Sequence, residues 1–261
     1  MTLKDAVPVK SAVRVLDIFE FFAHQRAPAT IQDVAAAQGY PHSSTTTLLN
    51  SLRDRGYLSY DPQAKTYVPT LRLVMLGRWM LEEPNRTFGV QRMQEQLQQL
   101  TGESVILASR EGGMARYIQV LSSAAVVRLT VPSGTLRPLH RTAAGIMLLS
   151  TLEGDELQAA LAASLEIEPI AARAEIHKAV EPAIVLAKRR GWTVSRGKMT
   201  TGAGVVATLL PDYPDADPMA VAIGAPLERL DEKLPDLLVA LRDVVGSPSE
   251  IRPEDVAEAT A

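Results

Sequence analysis

Few of the residue types that do covalent or metal chemistry occur in this sequence in usable arrangements. There is no cysteine, which excludes disulfides, thiolate metal sites and a cysteine nucleophile. The four histidines, His24, His42, His140 and His177, do not pair at metal-ligand spacing. No Gly-x-Ser-x-Gly elbow marks a hydrolase nucleophile. Gly191 to Lys198 looks briefly like a phosphate loop, but five residues separate its glycines and Met199 stands where a magnesium-binding hydroxyl belongs. The Gly202-Ala203-Gly204 doublet reads as a bend or a close approach to ligand. An enzyme needs pre-organised acid, base or nucleophile partners, and none is visible, so neither catalysis nor a metal or cofactor is expected. What stands out instead is a polar run, His42, Ser43, Ser44, Thr46, Thr47 and Asn50, lying away from Leu48 and Leu52 at helical spacing. Short hydroxyl, amide and imidazole groups on one helix face suit base edges in the major groove of duplex DNA. Arg14, Arg53, Arg55 and Lys65 would meet phosphates, which position a protein without reading sequence. The plainer alternative is a capped surface helix with solvated arginines.

A helix is expected from Ser11 to His24, with Ala12, Val15, Leu16, Phe19 and Phe22 on one face. Thr30 with Asp33 resembles a capping box for a second helix, Ile31 to Gln38, ended by Gly39. The polar run begins a third helix near Pro41 that continues to Arg55 and turns Thr45, Leu48, Leu49 and Leu52 inward. Two short strand-like runs, 57–60 and 66–69, flank turn residues Asp61, Pro62 and Gln63. Three helices and a hairpin in this order make a winged helix-turn-helix over residues 1–70. A helical linker follows at 71–85, with Leu71, Val74, Met75 and Met80 apolar and Pro84 as a breaker; its stripe invites a second copy of itself. Residues 86–261 form the third section. After a helix carrying Val90, Met93, Leu97 and Leu100, strands are expected at 105–110, 114–121 (joined by a Gly112-Gly113 turn) and 125–131. Helices are expected from Pro138 to Leu152, at 153–163 and at 174–190. Strands return at 192–195, 205–210 and 219–224, and a last helix carries Leu230, Leu234, Leu237, Leu241 and Val244. The tail after Gly246 reads as loosely held. The fold class is α+β, with a mostly antiparallel sheet in the C-terminal domain.

The whole chain is ordinary for a globular protein, with 46% hydrophobic and 22% charged residues and a net charge of −3 over 261 residues. That charge is unevenly spread: residues 1–80 hold nine Lys and Arg against six Asp and Glu, and residues 81–261 hold eighteen against twenty-four. A basic head on an acidic body is compatible with one DNA-facing end. Without a membrane-spanning apolar run or an export signal, a cytoplasmic location is expected.

Several short motifs, in order, resemble the IclR family of bacterial regulators over about residues 10–250. Ser11-Ala12-Val13-Arg14-Val15-Leu16-Asp17-Ile18 is similar to that family's opening helix. Ile31-Gln32-Asp33-Val34-Ala35 and Gly39-Tyr40-Pro41-His42-Ser43 resemble its helix-turn-helix. Thr101-Gly102-Glu103-Ser104-Val105, Pro138-Leu139-His140, Thr142-Ala143-Ala144-Gly145, Gly191-Trp192 and the stretch Ala222 to Leu230 resemble its body. The resemblance implies a homodimer or dimer of dimers on a palindromic operator, and a GAF-like sensor domain for a small organic or aromatic acid. Where family members commonly carry Lys and Arg, this chain has His42 and Thr47, which favours thymine-methyl or phosphate contacts over bidentate guanine contacts.

Carried over by position, the family's effector cavity falls on Leu129, Arg137, Ala143, Ala144, Ser195, Ala203, Val205, Ala222 and Gly224. Mostly small or apolar walls imply a larger carboxylate, plausibly aromatic. Arg137, just before the helix expected from Pro138, offers a guanidinium beside a helix N-terminus, or else is a loop arginine in solvent. Ser195 and His140 would add hydrogen bonds, though His140 equally suits a packed histidine. Arg128, alternating with Leu129 along the expected strand, would face away. The sequence thus reads as an effector-controlled DNA-binding regulator. The rival readings are a metabolite-binding protein or enzyme for a small acid, and an adaptor whose winged head binds protein.

Overall fold

The structure, a computed structural model, describes residues 9–76, 87–211, 217–248 and 250–260. The chain divides into two compact units, Met1–Pro84 and Asn85–Ala261. Among the described residues no helix is long and apolar enough to cross a membrane.

The first unit runs α1 (Lys10–Gln25), α2 (Ile31–Gln38), α3 (His42–Asp54), β1 (Leu58–Asp61), β2 (Thr66–Pro69) and α4 (Leu71–Leu76). The expected capping box forms in full: Thr30 Oγ1 accepts from the Asp33 backbone N–H, and Asp33 accepts from that of Thr30 at 2.8 Å. Gly39 closes α2 at φ +65°, a conformation that favours glycine. β1 and β2 pair antiparallel, and Ala29 adds a bridge to Tyr67 that ties the start of α2 to the wing. Ile18, Phe22, Val34, Leu49, Leu52, Leu58 and Tyr67 are the core. α1 therefore turns inward along Val15, Ile18, Phe19 and Phe22, whereas Leu16, expected on the buried face, is 63% exposed and Ala12 is exposed too. Of the expected linker, residues 71–76 are helical; the rest, with Met80 and Pro84, lies outside the described residues.

The second unit begins with α5 (Thr87–Thr101) and holds β3 (Ser104–Glu111), β4 (Met114–Leu121), β5 (Leu136–Pro138), α6 (Ala143–Leu149), α7 (Gly154–Ser164), α8 (Ile170–Arg190), β6 (Trp192–Arg196), β7 (Ala203–Leu209), β8 (Met219–Pro226), α9 (Leu227–Val245) and α10 (Pro253–Thr260). The strands form one antiparallel sheet in the order β5-β4-β3-β8-β7-β6. Side chains alternate along each strand, so Ile106, Ala108, Ala115, Tyr117, Ala207, Ala220 and Ala222 pack on α6, α7 and α8. Val105, Leu107, Val206, Val221 and Ile223 face α5 and α9 on the other side. The alanines leave space for α6, whose every residue is buried, to lie close against the sheet. Gly113 is required in the β3–β4 turn because a Cβ there would sit 2.4 Å from the Ser164 backbone nitrogen.

Four expectations change. Residues 125–131 are not a strand: Ser104 Oγ donates to the Leu129 carbonyl (2.8 Å) and accepts from Ser123 N, occupying groups a neighbouring strand would need. The helix expected from Pro138 starts at Ala143, capped by Thr142 Oγ1 accepting from Gly145 N, after a strand and a single 3-10 turn. Leu100 of α5 is 63% exposed, while Val90, Met93 and Leu97 pack inward. The tail after Gly246 is docked, with Val256 and Ala259 of α10 against the core and Asp255 bonded to the buried Arg190 (2.7 Å).

Candidate functional site

In the first unit, α3 carries the polar run. Thr45, Leu49 and Leu52 are buried beneath it; His42, Ser43 and Thr47 are exposed, and Ser44, Thr46 and Asn50 are half-buried. The hydroxyls are partly committed. Thr46 donates to the His42 carbonyl (2.8 Å) and Thr47 to that of Ser43 (3.0 Å), one helical turn back. Each hydroxyl keeps a lone pair that can accept from an amino group, and each threonine a methyl of the kind that can touch a thymine methyl. Asn50 also serves the fold, since its Oδ1 accepts from the Tyr67 hydroxyl (2.9 Å) and so fastens α3 to the wing.

Cations surround that helix. Arg14 lies over the Tyr40 ring at 4.8 Å, and the Tyr40 hydroxyl in turn donates to Asp17. Arg53 is exposed and bonds its neighbour Asp54 (2.7 Å), a pair that solvent screens. Arg55 is exposed just past α3. Lys65 sits at the wing tip with φ +55°, after a turn in which Asp61 accepts from Gln63 N and Ala64 N.

In the second unit a cavity lies on the α6 side of the sheet; its empty space of about 410 Å³ includes open solvent, and the enclosed part is small. β4 contributes Tyr117, the irregular stretch Leu129 and Val131, and β5 Arg137. Arg141, Thr142 and Ala143 close it at the head of α6; Ser195, Ala203 and Val205 come from β6 and β7, and Gly197 to Thr200 from the turn between them. Arg137 pairs across the ladder with Ala115, placing its side chain on the face of Tyr117. Burial pushes the Tyr117 phenol above its ordinary range, while the charge of Arg137 pulls it down. Ser195 Oγ donates to the Arg141 carbonyl (3.3 Å).

Leu129, Arg137, Ala143, Ser195, Ala203 and Val205 are thus brought together as expected by position, and Arg128 is not in the wall. Arg137 stands there without the helix end expected beside it, because α6 starts at Ala143. Four expected residues lie elsewhere. Ala144 is buried within α6 and Ala222 within β8. Gly224 lies behind the wall, where a Cβ would come within 2.4 Å of Leu129 Cδ2. His140 is packed: Nδ1 meets Ser164 Oγ at 2.8 Å and Nε2 meets Glu168 Oε1 at 2.9 Å. Burial lowers the His140 pKa against the pull of Glu168. The neutral ring then donates from Nε2 to Glu168 and accepts from Ser164 at Nδ1. The Gly202-Ala203-Gly204 doublet makes its close approach to Leu230, not to a ligand, at 2.5 Å from a Cβ on Gly204.

Tyr117, Val131, Arg141 and the 197–200 turn were not singled out from sequence. Arg141 sits one residue after a motif histidine, and Lys198 ends the failed phosphate loop. Neither signal separates a wall residue from a surface one. Glu168, 5% exposed, receives Arg141 Nε at 2.6 Å and Nη2 at 2.7 Å, so one carboxylate holds both the wall guanidinium and the buried histidine. Arg141 comes first among the causes that lower the Glu168 pKa. Among the described residues no cluster of three or more His, Asp or Glu could hold a metal.

Two family descriptions match this chain: "IclR helix-turn-helix domain" over residues 11–62 and "Bacterial transcriptional regulator IclR C-terminal" over residues 89–250. The HTH-type transcriptional repressor AllR of Salmonella typhimurium is 24% identical over 224 residues, covering 84% of this chain and 80% of the relative. The HTH-type transcriptional regulator XynR of Escherichia coli is 22% identical over 249 residues, 92% and 99% of the two chains. Among solved structures, an IclR transcriptional regulator from Alicyclobacillus acidocaldarius superposes with a TM-score of 0.72 at 18% identity, over 98% of this chain and 100% of that one. An IclR homolog from Microbacterium hydrocarbonoxydans, crystallised with 4-hydroxybenzoate, gives 0.65 at 19% identity, over 91% and 99%. With both of its units matched, the chain belongs to the IclR family and is a DNA-binding transcriptional regulator rather than an enzyme.

Proposed function

We propose that this regulator binds a palindromic operator as a homodimer or dimer of dimers, and that a small carboxylic acid, plausibly aromatic, controls that binding from the cavity beside Arg137. One observation carries the reading: Arg137, Arg141 and Lys198 line the cavity, and among the described residues no Asp or Glu does. A site walled by cations, an aromatic ring and aliphatic groups selects an anion with an apolar body. The homolog crystallised with 4-hydroxybenzoate supports the aromatic part. As the walls stand, the freely accessible space is only water-sized, so a ring must displace wall groups on entry. The turn over Lys198 to Thr200 is the wall best suited to yield, with Lys198 and Thr200 exposed and Gly197 and Gly202 at φ +64° and +76°.

Dimerisation has its own support. Val9, Val13 and Leu16 lie exposed at helical spacing, as do Leu71, Val74 and Met75 at the start of the proposed 71–85 linker. Two heads on half-sites one helical turn apart, about 34 Å, make operator affinity sensitive to their spacing. The acid acts by binding one arrangement of the dimer better than another. Calorimetric titration of the full chain with 4-hydroxybenzoate, alongside a gel shift on the promoter region beside its own coding sequence, tests this. A salt-sensitive, selective band that the acid shifts is expected, and Arg137→Ala abolishes the acid response while keeping the band. Acid binding that Arg137→Ala leaves intact, or no selective band, overturns the reading.

A further inference from the structure

Resting on the reading that an acid occupies this cavity, the charges in its wall specify how many acid groups the effector has. Arg141 is already answered, because Glu168 takes its Nε and Nη2 in two short bonds. Arg137 and Lys198 have no hydrogen-bond or ion-pair partner among the described residues. Cations close by are committed elsewhere: Arg196 to Asp231 at 2.8 Å and Arg128 to the Ala125 carbonyl at 2.9 Å. Among the described residues the wall therefore offers two unanswered positive charges and no negative one.

Their placement matters as much as their number. Arg137 stands on β5 and Lys198 on the turn leaving β6, and β5 and β6 are the opposite edges of the six-stranded sheet. Leu129, Val131, Ala203 and Val205 line the same cavity and offer no charge. We propose that the effector is a dicarboxylate, one carboxylate on Arg137 and the other on Lys198, with its hydrocarbon or ring between them. A monocarboxylate would leave one cation facing an apolar body, which forgoes a charge-assisted bond. A phosphate concentrates its two charges at one end, and so matches two cations carried by separate elements less well than a molecule with a carboxylate at each end.

The test is calorimetric titration of the full chain with pairs that differ by one carboxylate, benzoate against terephthalate and hexanoate against adipate. Phenyl phosphate serves as the dianion with both charges at one end. In at least one pair the dicarboxylate should bind about tenfold tighter, the scale of one partly exposed charge-assisted bond. Lys198→Met, at an exposed position, should remove that advantage and bring each dicarboxylate down to the level of its monocarboxylate. Equal or better binding of the monocarboxylate in both pairs, a gap that survives Lys198→Met, or phenyl phosphate matching the better dicarboxylate would overturn the dicarboxylate assignment while leaving an acid in the cavity. Failure of every acid to bind would remove the cavity reading as well.

Discussion

Leu49→Ala separates the anchoring face of α3 from its reading face. Leu49 is fully buried, one of eight buried residues that make up the core of the first unit. Truncating a buried leucine costs about 2–5 kcal/mol, because the cavity it leaves only partly collapses. A folded unit of this size holds roughly 3–10 kcal/mol in all, at about 0.05–0.15 kcal/mol per residue. The loss is therefore close to half of the margin. Since about 1 kcal/mol moves the midpoint of a small domain by roughly 4–8 °C, the first unit's thermal transition should fall by about 8–40 °C. Near 20 °C most molecules stay folded and DNA affinity drops only modestly; near 40 °C it collapses. Acid binding by the second unit should be unchanged. Thr47→Ala is the counterpart on the exposed face: it removes one hydroxyl bonded to its own helix, so the transition should barely move while operator affinity falls at every temperature. Fluorescence anisotropy on labelled operator, run against calorimetric melting, reads both. If Leu49→Ala shifts the transition by less than about 5 °C, or if Thr47→Ala is the variant that melts the head, the assignment of the two faces is wrong.

Arg53→Ala should weaken binding to all DNA alike and flatten the slope of log affinity against log salt by about 0.9, the signature of one lost phosphate contact; a selective loss on operator DNA would contradict that role. Gly224→Ala places a methyl 2.4 Å from Leu129 Cδ2; the leucine tip can move, so stability should fall by no more than about 1–3 kcal/mol. The displaced side chain narrows the cavity and acid affinity drops, and unchanged calorimetric affinity would take Leu129 out of the wall. The His140–Glu168 pair makes the second unit acid-sensitive, because both groups have folded pKa values below the ordinary ones, 6.5 for the histidine and 4.5 for the glutamate. The unfolded chain therefore binds more protons as pH falls, and stability present above pH 6.5 is lost first through His140 and then, below 4.5, through Glu168. Melting the second unit across this range should show two successive losses, and His140→Gln should erase only the upper one; an unchanged upper loss would move its origin elsewhere.

Local chemistry was legible from sequence where a few neighbouring residues decide it. Thr30 and Asp33 close a box within one turn, and Gly112-Gly113 joins two strands that pair from Glu111 and Met114 outward, with one irregularity at Leu107 and Ala108. Periodicity was a poorer guide where two apolar stripes share a helix. On α1, Leu16 and Ile18 both suit a buried face, and the shape of the remaining core selects Ile18. The stretch 125–131 alternates like a strand, yet Ser104 and Ser123 hold its backbone through their hydroxyls. No strand period reports a side chain taking a strand's place. The tail failed for a similar reason: Asp255 reads as a solvated charge until Arg190, 65 residues earlier, is placed beside it.

Arg141 and His140 show why the cavity beside Arg137 was only half legible. They are adjacent in one 3-10 turn, and the geometry of that turn alone sends one side chain inward and the other to the cavity. Their roles are then set by Glu168, 27 and 28 residues away. Without it, three cations would line the cavity unanswered; with it, two are without a partner among the described residues, and the buried histidine donates to the arginine's counterion. The chemistry selected by a cavity is the balance left after its own counterions are counted, and those partners arrive from distant segments of the chain. Small residues at motif spacing can therefore outline the walls, but which charges a ligand must answer is decided only by the fold.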